Sequence, residues 1–433
     1  MKKRLLKILS IGALIFTMAS CETHREVTIV AGDIRENPED GLTSRERNNN
    51  RSKVIADQLW HDYYDEELNG ALNYYPFKDD TEEIASVWHF TSLFSLYVKL
   101  VKNNPDDQLL KSRLEMIIEG LEYYHESRND DYRAYAVKRG FRINDASSGY
   151  MADVYDDNMW IAREFLNAYE VLKDESLLTK CKETIRYCLS GWDSSKNPDT
   201  DLEWGGIYWG PDYTSKHACS NGPIIATLVR LSKLFPEEQV FGRTYLQWAK
   251  DVYDFSIATF KMSNDLYGDM IGTEKKAGVT LSHGSLDTTA YTYNTGTMIS
   301  GGAYLYEVTK DEKYLNQAKK SMEASLKIFG NDDLVEGFFQ FPVATTIWFN
   351  LTLYQGYYDL LLVDSSASEY LSVVQKSIDF AYNNYLYENT LPTNWISGWQ
   401  YGFDKDETRD IMDVASSAET FALLVLKDEI THQ

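Results

Sequence analysis

The 433-residue chain is acidic, with 66 Asp and Glu against 43 Lys and Arg and a formal net charge of −23. That balance argues against a basic patch for nucleic acid or another anionic polymer. Its 31 Tyr, 18 Phe and 10 Trp are many for so acidic a protein, and suit ring stacking on a neutral ligand as well as a core.

Lys2, Lys3, Arg4 and Lys7 precede an apolar run through Phe16 and then Met18-Ala19-Ser20-Cys21. A basic head, a short hydrophobic segment and small residues before a cysteine predict a lipoprotein signal peptide over 1–20, with Cys21 the lipidated first residue of the mature protein. Without the four basic residues of that head the formal charge becomes −27. Residues 21–50 read as a flexible linker and 51–433 as one folded domain, a length that closed single-domain architectures reach. No later segment is apolar enough to span a bilayer. Membrane contact through the lipid anchor alone is therefore expected, in a bacterial cell envelope and on the outer membrane, at its surface or periplasmic face.

Along the rest of the chain one signature recurs: an apolar helix ending, an acidic or Pro-containing turn, then another helix. It reads "LYVKLVKNNPDDQLL" from Leu96, "AYEVLKDESLL" from Ala168, "LVRLSKLFPEEQVF" from Leu228, "LYEVTKDEKYL" from Leu305 and, more loosely, "YYDLLLVDSSASEYL" from Tyr357. A last copy, "FALLVLKD" from Phe421, ends with the chain. Asp, Glu, Ser and Pro in the turns suit N-caps and first helical turns, and the flanking apolar residues recur at three- and four-residue spacing. Six helices before the turns, five after them and one from Ser52 to Glu66 make twelve. With a final helix lacking a following partner and a first helix lacking a preceding one, the two ends are expected to pair. The predicted fold is all-α, an (α/α)6 barrel of six helical hairpins, rather than an open solenoid with polar caps.

The short turns then lie on one end of the ring. The longer connections, roughly 67–82, 128–157, 191–219, 262–292, 330–345 and 388–411, lie on the other, where binding and chemistry usually reside. They hold "DLEWGGIYWGPDYTSKHACSN", "LYGDMIG", "AYTYNTG" and "LPTNWISGWQYGFD", which predict an aromatic, polar cleft. Cys181 and Cys188 are seven apart on one predicted helix, about 10 Å along its axis, too far to bridge. No CxxC, HExxH or paired helical histidine spacing is present, so no metal and no cofactor is expected.

"YDDNMW", Tyr155 to Trp160, sets two carboxylates side by side where the second long connection enters a helix. Such a pair can simply cap a helix and favour its dipole, and Asp79-Asp80, Asp106-Asp107, Asp130-Asp131 and Asp332-Asp333 show how common the dipeptide is. Its position on the long-loop face, between Tyr155 and Trp160, points to chemistry. Neighbouring Cα atoms are about 3.8 Å apart, so the two carboxyls can sit about 5 Å apart, the spacing of a retaining rather than an inverting glycosidase.

With "WGGIYW" (Trp204 to Trp209), "KHACSN" (Lys216 to Asn221) and "YTYNTGTMISGGAYLYEVTKDEKYLNQA" (Tyr291 to Ala318) in the same order, the chain resembles glycoside hydrolase family 76, the bacterial and fungal endo-α-1,6-mannanases, over roughly residues 80 to 330. The resemblance implies an (α/α)6 fold and a retaining mechanism with Asp156 as nucleophile and Asp157 as general acid/base. A neighbouring charge and a partly desolvated site are expected to raise the Asp157 pKa. Expected substrate contacts are Tyr155, Trp160, Trp204, Gly205, Gly206, Tyr208, Trp209, Lys216, Asn221, Tyr293 and Asn294, with Trp88, Trp395 and Trp399 as further subsites. Where the family usually has Tyr-Asn-Gln-Gly, this chain has Tyr293-Asn294-Thr295-Gly296. The expected partner is α-1,6-mannan or a manno-oligosaccharide, with no nucleic acid, and the protein is expected to be a monomer. The competing expectations are a non-catalytic glycan-binding lipoprotein and another (α/α)6 enzyme, such as a lyase or an epimerase.

Overall fold

The computed structural model describes residues 39, 41–76, 84–126, 132–140, 154–272, 285–332, 334–343, 346–399 and 408–431. Cys21 and the segment read as a signal peptide lie outside the described residues.

Among the described residues twelve α-helices follow in order: α1 Ser44–Tyr63, α2 Val87–Asn103, α3 Gln108–Leu121, α4 Tyr155–Leu172, α5 Glu175–Leu189, α6 Gly222–Leu234, α7 Tyr245–Phe260, α8 Thr292–Thr309, α9 Glu312–Phe329, α10 Ile347–Leu361, α11 Ala367–Tyr385 and α12 Ile411–Thr431. The even-numbered helices form a closed inner ring, each packed on the next and α12 packed back on α2, while the odd-numbered helices pack outside. This is the (α/α)6 barrel expected from the repeat. The chain ends pair as expected, through α1 against α12. The Ser52 hydroxyl donates to the Ala418 carbonyl at 2.8 Å, and Arg51 pairs with Asp379 of α11 at 2.7 Å.

The first helix corrects the expected domain boundary. It begins at Ser44, inside the stretch read as a linker over 21–50, because Thr43 and Glu46 form a reciprocal capping box. That pairing satisfies two amide donors that would otherwise be orphaned. The compact unit accordingly runs Thr43–Gln433.

The short turns follow local rules. Lys173 and Lys310 both end their helices in the left-handed conformation, at φ 60° and 57°, and Asp174 and Asp311 then cap the next helix, accepting from Ser176 and Lys313 amides at 2.9 and 3.0 Å. The repeated Lys-Asp-Glu in the sequence is therefore one turn used twice.

Outer helices such as α9, "EKYLNQAKKSMEASLKIF", bury one stripe and leave the other charged, as a helix with one wet face does. Inner α8, "TYNTGTMISGGAYLYEVT", is buried nearly all round its first three turns, and its small residues let neighbouring helices approach. One such close approach is between Gly296 of α8 and Gly356 of α10. A Cβ on Gly296 would stand 2.5 Å from the Thr352 carbonyl oxygen, and one on Gly356 would stand 2.5 Å from that of Gly296. Gly296→Ala or Gly356→Ala is expected to destabilise the barrel by about 1–3 kcal/mol through overpacking, seen as a lower urea midpoint; an unchanged midpoint would mean that the helices can part at little cost.

All six inner helices begin on the long-connection end, after connections over 64–86, 122–154, 190–221, 261–291, 330–346 and 386–410. Their amino termini, with the positive ends of their dipoles, converge on that face.

Candidate active site

Asp156 and Asp157 occupy the first turn of α4, and neither caps it: the N-cap is Val154, with no side-chain hydrogen bond. Both carboxyls open instead into a cleft of about 300 Å³. The helix start is pinned from two sides. The Tyr155 amide donates to the Trp209 carbonyl at 2.8 Å, and fully buried Asn158 bonds both backbone groups of Tyr135, at 2.8 and 3.1 Å. Tyr155 itself is buried against Tyr187, ring centroids 5.0 Å apart. It is core, which corrects its expected role as a substrate contact.

The connection over 190–221 forms an irregular hairpin, with bridges between Trp192 and Ile207 and between Lys196 and Glu203. Gly205 and Gly206 adopt φ of +73° and +80°, and a Cβ on Gly206 would run into the Phe255 ring. Only glycine meets both demands without strain. Lys216 is fully buried, pairing with Asp193 Oδ2 at 2.6 Å and donating to the Gly205 carbonyl at 2.6 Å, with Tyr208 beneath its ammonium at 5.0 Å. The Asn221 amide holds the Ile207 backbone through both its atoms, at 2.8 and 3.0 Å. Trp204, Gly205, Gly206, Tyr208, Lys216 and Asn221 are thus not among the residues lining the cleft. They brace the hairpin behind the wall, and the residue they deliver to the cleft is Trp209.

Of the expected contacts, Trp88, Trp160, Trp209 and Tyr293 line the cleft beside the aspartates, and His217, Cys219, Asp269, Tyr291, Trp348 and Phe349 join them. Trp348 stands edge-on to Trp160 at 4.8 Å and to Trp88 at 5.5 Å, and Phe349 lies 4.2 Å from Tyr293. Behind the floor, the Arg163 guanidinium stacks 4.5 Å from the Trp160 ring. Trp395 and Trp399 lie elsewhere, the first buried near Tyr354 and the second donating to the Tyr385 carbonyl at 2.9 Å. Asn294 is fully buried and reaches Asp269 at 3.4 Å, so it braces a wall residue and does not line the cleft. Thr295, where the family has glutamine, is also fully buried.

Trp348 and Phe349 were missed because "TTIWFNL" reads as the apolar start of a core helix, and Cys219 because cysteine usually packs as a small hydrophobe. His217 and Asp269 stood inside noted motifs. Their backbone positions are set by an antiparallel pairing of Lys216–His217 with Met270–Ile271, which no local pattern announces.

The two aspartates have different surroundings. Asp156 Oδ2 accepts from Trp209 Nε1 at 3.1 Å and from the Cys219 thiol at 3.2 Å, and its Oδ1 accepts from the Asp157 amide at 3.0 Å. Burial raises the Asp156 pKa, and these donors oppose the rise. For Asp157, with no donor opposing them among the described residues, burial and then the charge of Asp156 push the pKa well above the ordinary carboxylate range. The pair is built so that Asp156 ionises first and Asp157 keeps a proton. His217 stacks on Trp209, centroids 4.6 Å apart, and burial lowers its pKa to about 4, so it is neutral at ordinary pH. Among the described residues no Lys or Arg lines the cleft, and no group of three or more His, Cys, Asp or Glu is placed to hold a metal ion.

A barrel of six helical hairpins, with a carboxylate and a carboxylic acid side by side in an aromatic cleft, has the parts of a glycoside hydrolase. The sequence model of Glycosyl hydrolase family 76 matches residues 47–429, and the chain belongs to that family. It is 29% identical over 136 residues to a mannan endo-1,6-alpha-mannosidase of Saccharomyces cerevisiae, an alignment covering 31% of this chain and 28% of the yeast protein. The fold is similar to that of a family 76 glycoside hydrolase (mannosidase) from Bacteroides thetaiotaomicron, with TM-score 0.74, 22% identity, and 88% of this chain and 99% of that one covered. It is also similar to an alpha-1,6-mannanase of a Salegentibacter species, with TM-score 0.67, 19% identity and 88% and 99% covered. That structure is of a variant described as inactive, with two consecutive aspartates changed to asparagine, in complex with alpha-1,6-mannotriose.

Proposed function

We propose that the chain is a retaining endo-glycosidase hydrolysing internal α-1,6-mannosidic bonds of mannan-type polysaccharide, with Asp156 as nucleophile and Asp157 as general acid/base. The observation that carries this reading is the unequal environment of the pair: three hydrogen-bond donors on Asp156, and burial beside a negative charge for Asp157. Asp156 attacks the anomeric carbon while Asp157 protonates the departing glycosidic oxygen; water, deprotonated by Asp157, then releases the sugar from Asp156. Aromatic walls suit the C–H faces of a neutral sugar, and the absence of Lys and Arg from the described lining disfavours a uronic-acid lyase. The substrate assignment draws support from the family, from the yeast relative and from the mannotriose held by the Salegentibacter enzyme. The basic head, apolar run and Met18-Ala19-Ser20-Cys21 pattern support the further proposal of a lipid anchor at Cys21 in the bacterial envelope, at the outer membrane.

The test is product analysis on unbranched α-1,6-mannan, with the anomer formed first read by proton NMR. A ladder of manno-oligosaccharides carrying the α-anomer is expected. Mannose alone would overturn the internal cut, the β-anomer would overturn retention, and binding without cleavage would put a glycan-capture protein in its place.

A further inference from the structure

Two of the donors to Asp156 come with the architecture: the Asp157 amide belongs to the helix start, and Trp209 ends the braced hairpin. The third is a side chain that packing alone would not require. Cys219 is 7% exposed in the cleft wall, where a valine would fill similar space, yet its thiol meets Asp156 Oδ2 at 3.2 Å. The Tyr293 side chain also interacts with the Cys219 thiol. Burial, then the Asp156 charge, push the Cys219 thiol well above its ordinary pKa. It therefore stays S–H, the form that donates.

We infer that Cys219 is a positioning residue for the hydrolysis, its S–H fixing the Asp156 carboxylate and favouring its ionised form while Asp157 holds the proton. This rests on Asp156 being the nucleophile. The other titratable groups facing Asp156 are Asp157 on α4, Cys188 on α5, His217 in the hairpin connection, Asp269 in the connection before α8, and Tyr293 on α8. None of them is cationic at neutral pH, so its charge is held by neutral donors, and the loss of one is felt.

The test compares Cys219→Val, which fills the space without a donor, with Cys219→Ser, which keeps one, and with Asp156→Ala. Each is assayed on α-1,6-mannotetraose from about pH 4 to about pH 8, with circular dichroism melts to check folding. Cys219→Val is expected to lower kcat about tenfold, with KM unchanged. It should also move the acid limb of kcat/KM to higher pH, because losing a donor raises the pKa of Asp156; Cys219→Ser should keep the wild-type limb and most of kcat. Equal losses in Val and Ser with an unmoved limb would reduce Cys219 to packing and overturn the inference. So would a wild-type profile for Val beside an inactive Asp156→Ala, which leaves the proposed reaction standing. An active Asp156→Ala would overturn both.

Discussion

Asp157→Asn is expected to lower kcat on α-1,6-mannan by about 10³-fold, the usual scale of general acid–base help, and at the same time to stabilise the folded protein. The first effect follows from losing the proton that the leaving sugar oxygen needs. The second follows from linkage. The folded pKa of Asp157 is raised above its unfolded value, so the folded state holds the proton more tightly. Its contribution to stability is full below the unfolded pKa, near 3.8, and is lost as pH rises through the raised folded pKa. Asparagine carries no charge to bury, and the variant should gain most over wild type at neutral and higher pH, read as a higher urea midpoint at pH 7 than at pH 4. Azide supplies a nucleophile that needs no general base, so it should restore turnover of an aryl mannoside with a good leaving group, giving an α-mannosyl azide. Asp156→Asn should show no such rescue, and a loss at least as large. If Asp156→Asn gave the α-mannosyl azide and Asp157→Asn did not, the two roles would be exchanged, whereas a β-mannosyl azide from Asp156→Asn would mark Asp156 as the missing nucleophile.

The second large effect is structural. Lys216→Met should destabilise the protein by about 3–5 kcal/mol, the cost of leaving a buried charge without its partner. Asp193 is 3% exposed and pairs with Lys216 at 2.6 Å. Burial opposes its ionisation, but the Lys216 contact and the Ser195 hydroxyl outweigh that and hold its pKa below the ordinary value. Burial likewise pulls Lys216 down, more than its partner raises it, so the charged pair exists only because both members are present. Lys216→Met with Asp193→Leu should regain most of the loss, and a double variant no better than the single would show that the hairpin depends on the ammonium contact to Gly205 instead. Activity should fall with Lys216→Met at temperatures where the protein is still folded, because this hairpin holds Trp209 against Asp156.

Both predictions concern residues that stood out in the sequence, but for different reasons. Lys216 was noted as part of "KHACSN" and expected at the substrate; it is a pin behind the wall, since a fully buried ammonium bonded to Asp193 and Gly205 has no face left for a sugar. Asn221 and Asn294 follow the same logic: an amide that can satisfy backbone or carboxylate groups inside the protein is equally able to bind a hydroxyl outside it, and residue type does not tell the two apart. The paired glycines of "WGGIYW" announced a special backbone, which positive φ confirms, without saying whether the close neighbour would be a sugar or, as here, Phe255.

The sequence by itself determined the twelve-helix ring, its closure through the chain ends, the face carrying the long connections and the position of the aspartate pair on that face. These rest on local physics: N-caps, left-handed lysine turns repeated at 173 and 310, and apolar spacing within single helices. Even the missed start of α1 was written locally, in the capping box of Thr43 and Glu46. Only the tertiary structure decided which aromatics face the cleft, that Trp348, Phe349, His217, Cys219 and Asp269 belong to it, and that Trp395 and Trp399 do not. A raised Asp157 pKa was expected from a neighbouring charge and a partly desolvated site, with the roles of the two aspartates implied by the family resemblance. The opposing donors on Asp156, a tryptophan and a cysteine from 53 and 63 residues away aimed at one oxygen, exist only once the barrel has closed and brought the hairpin over the helix start.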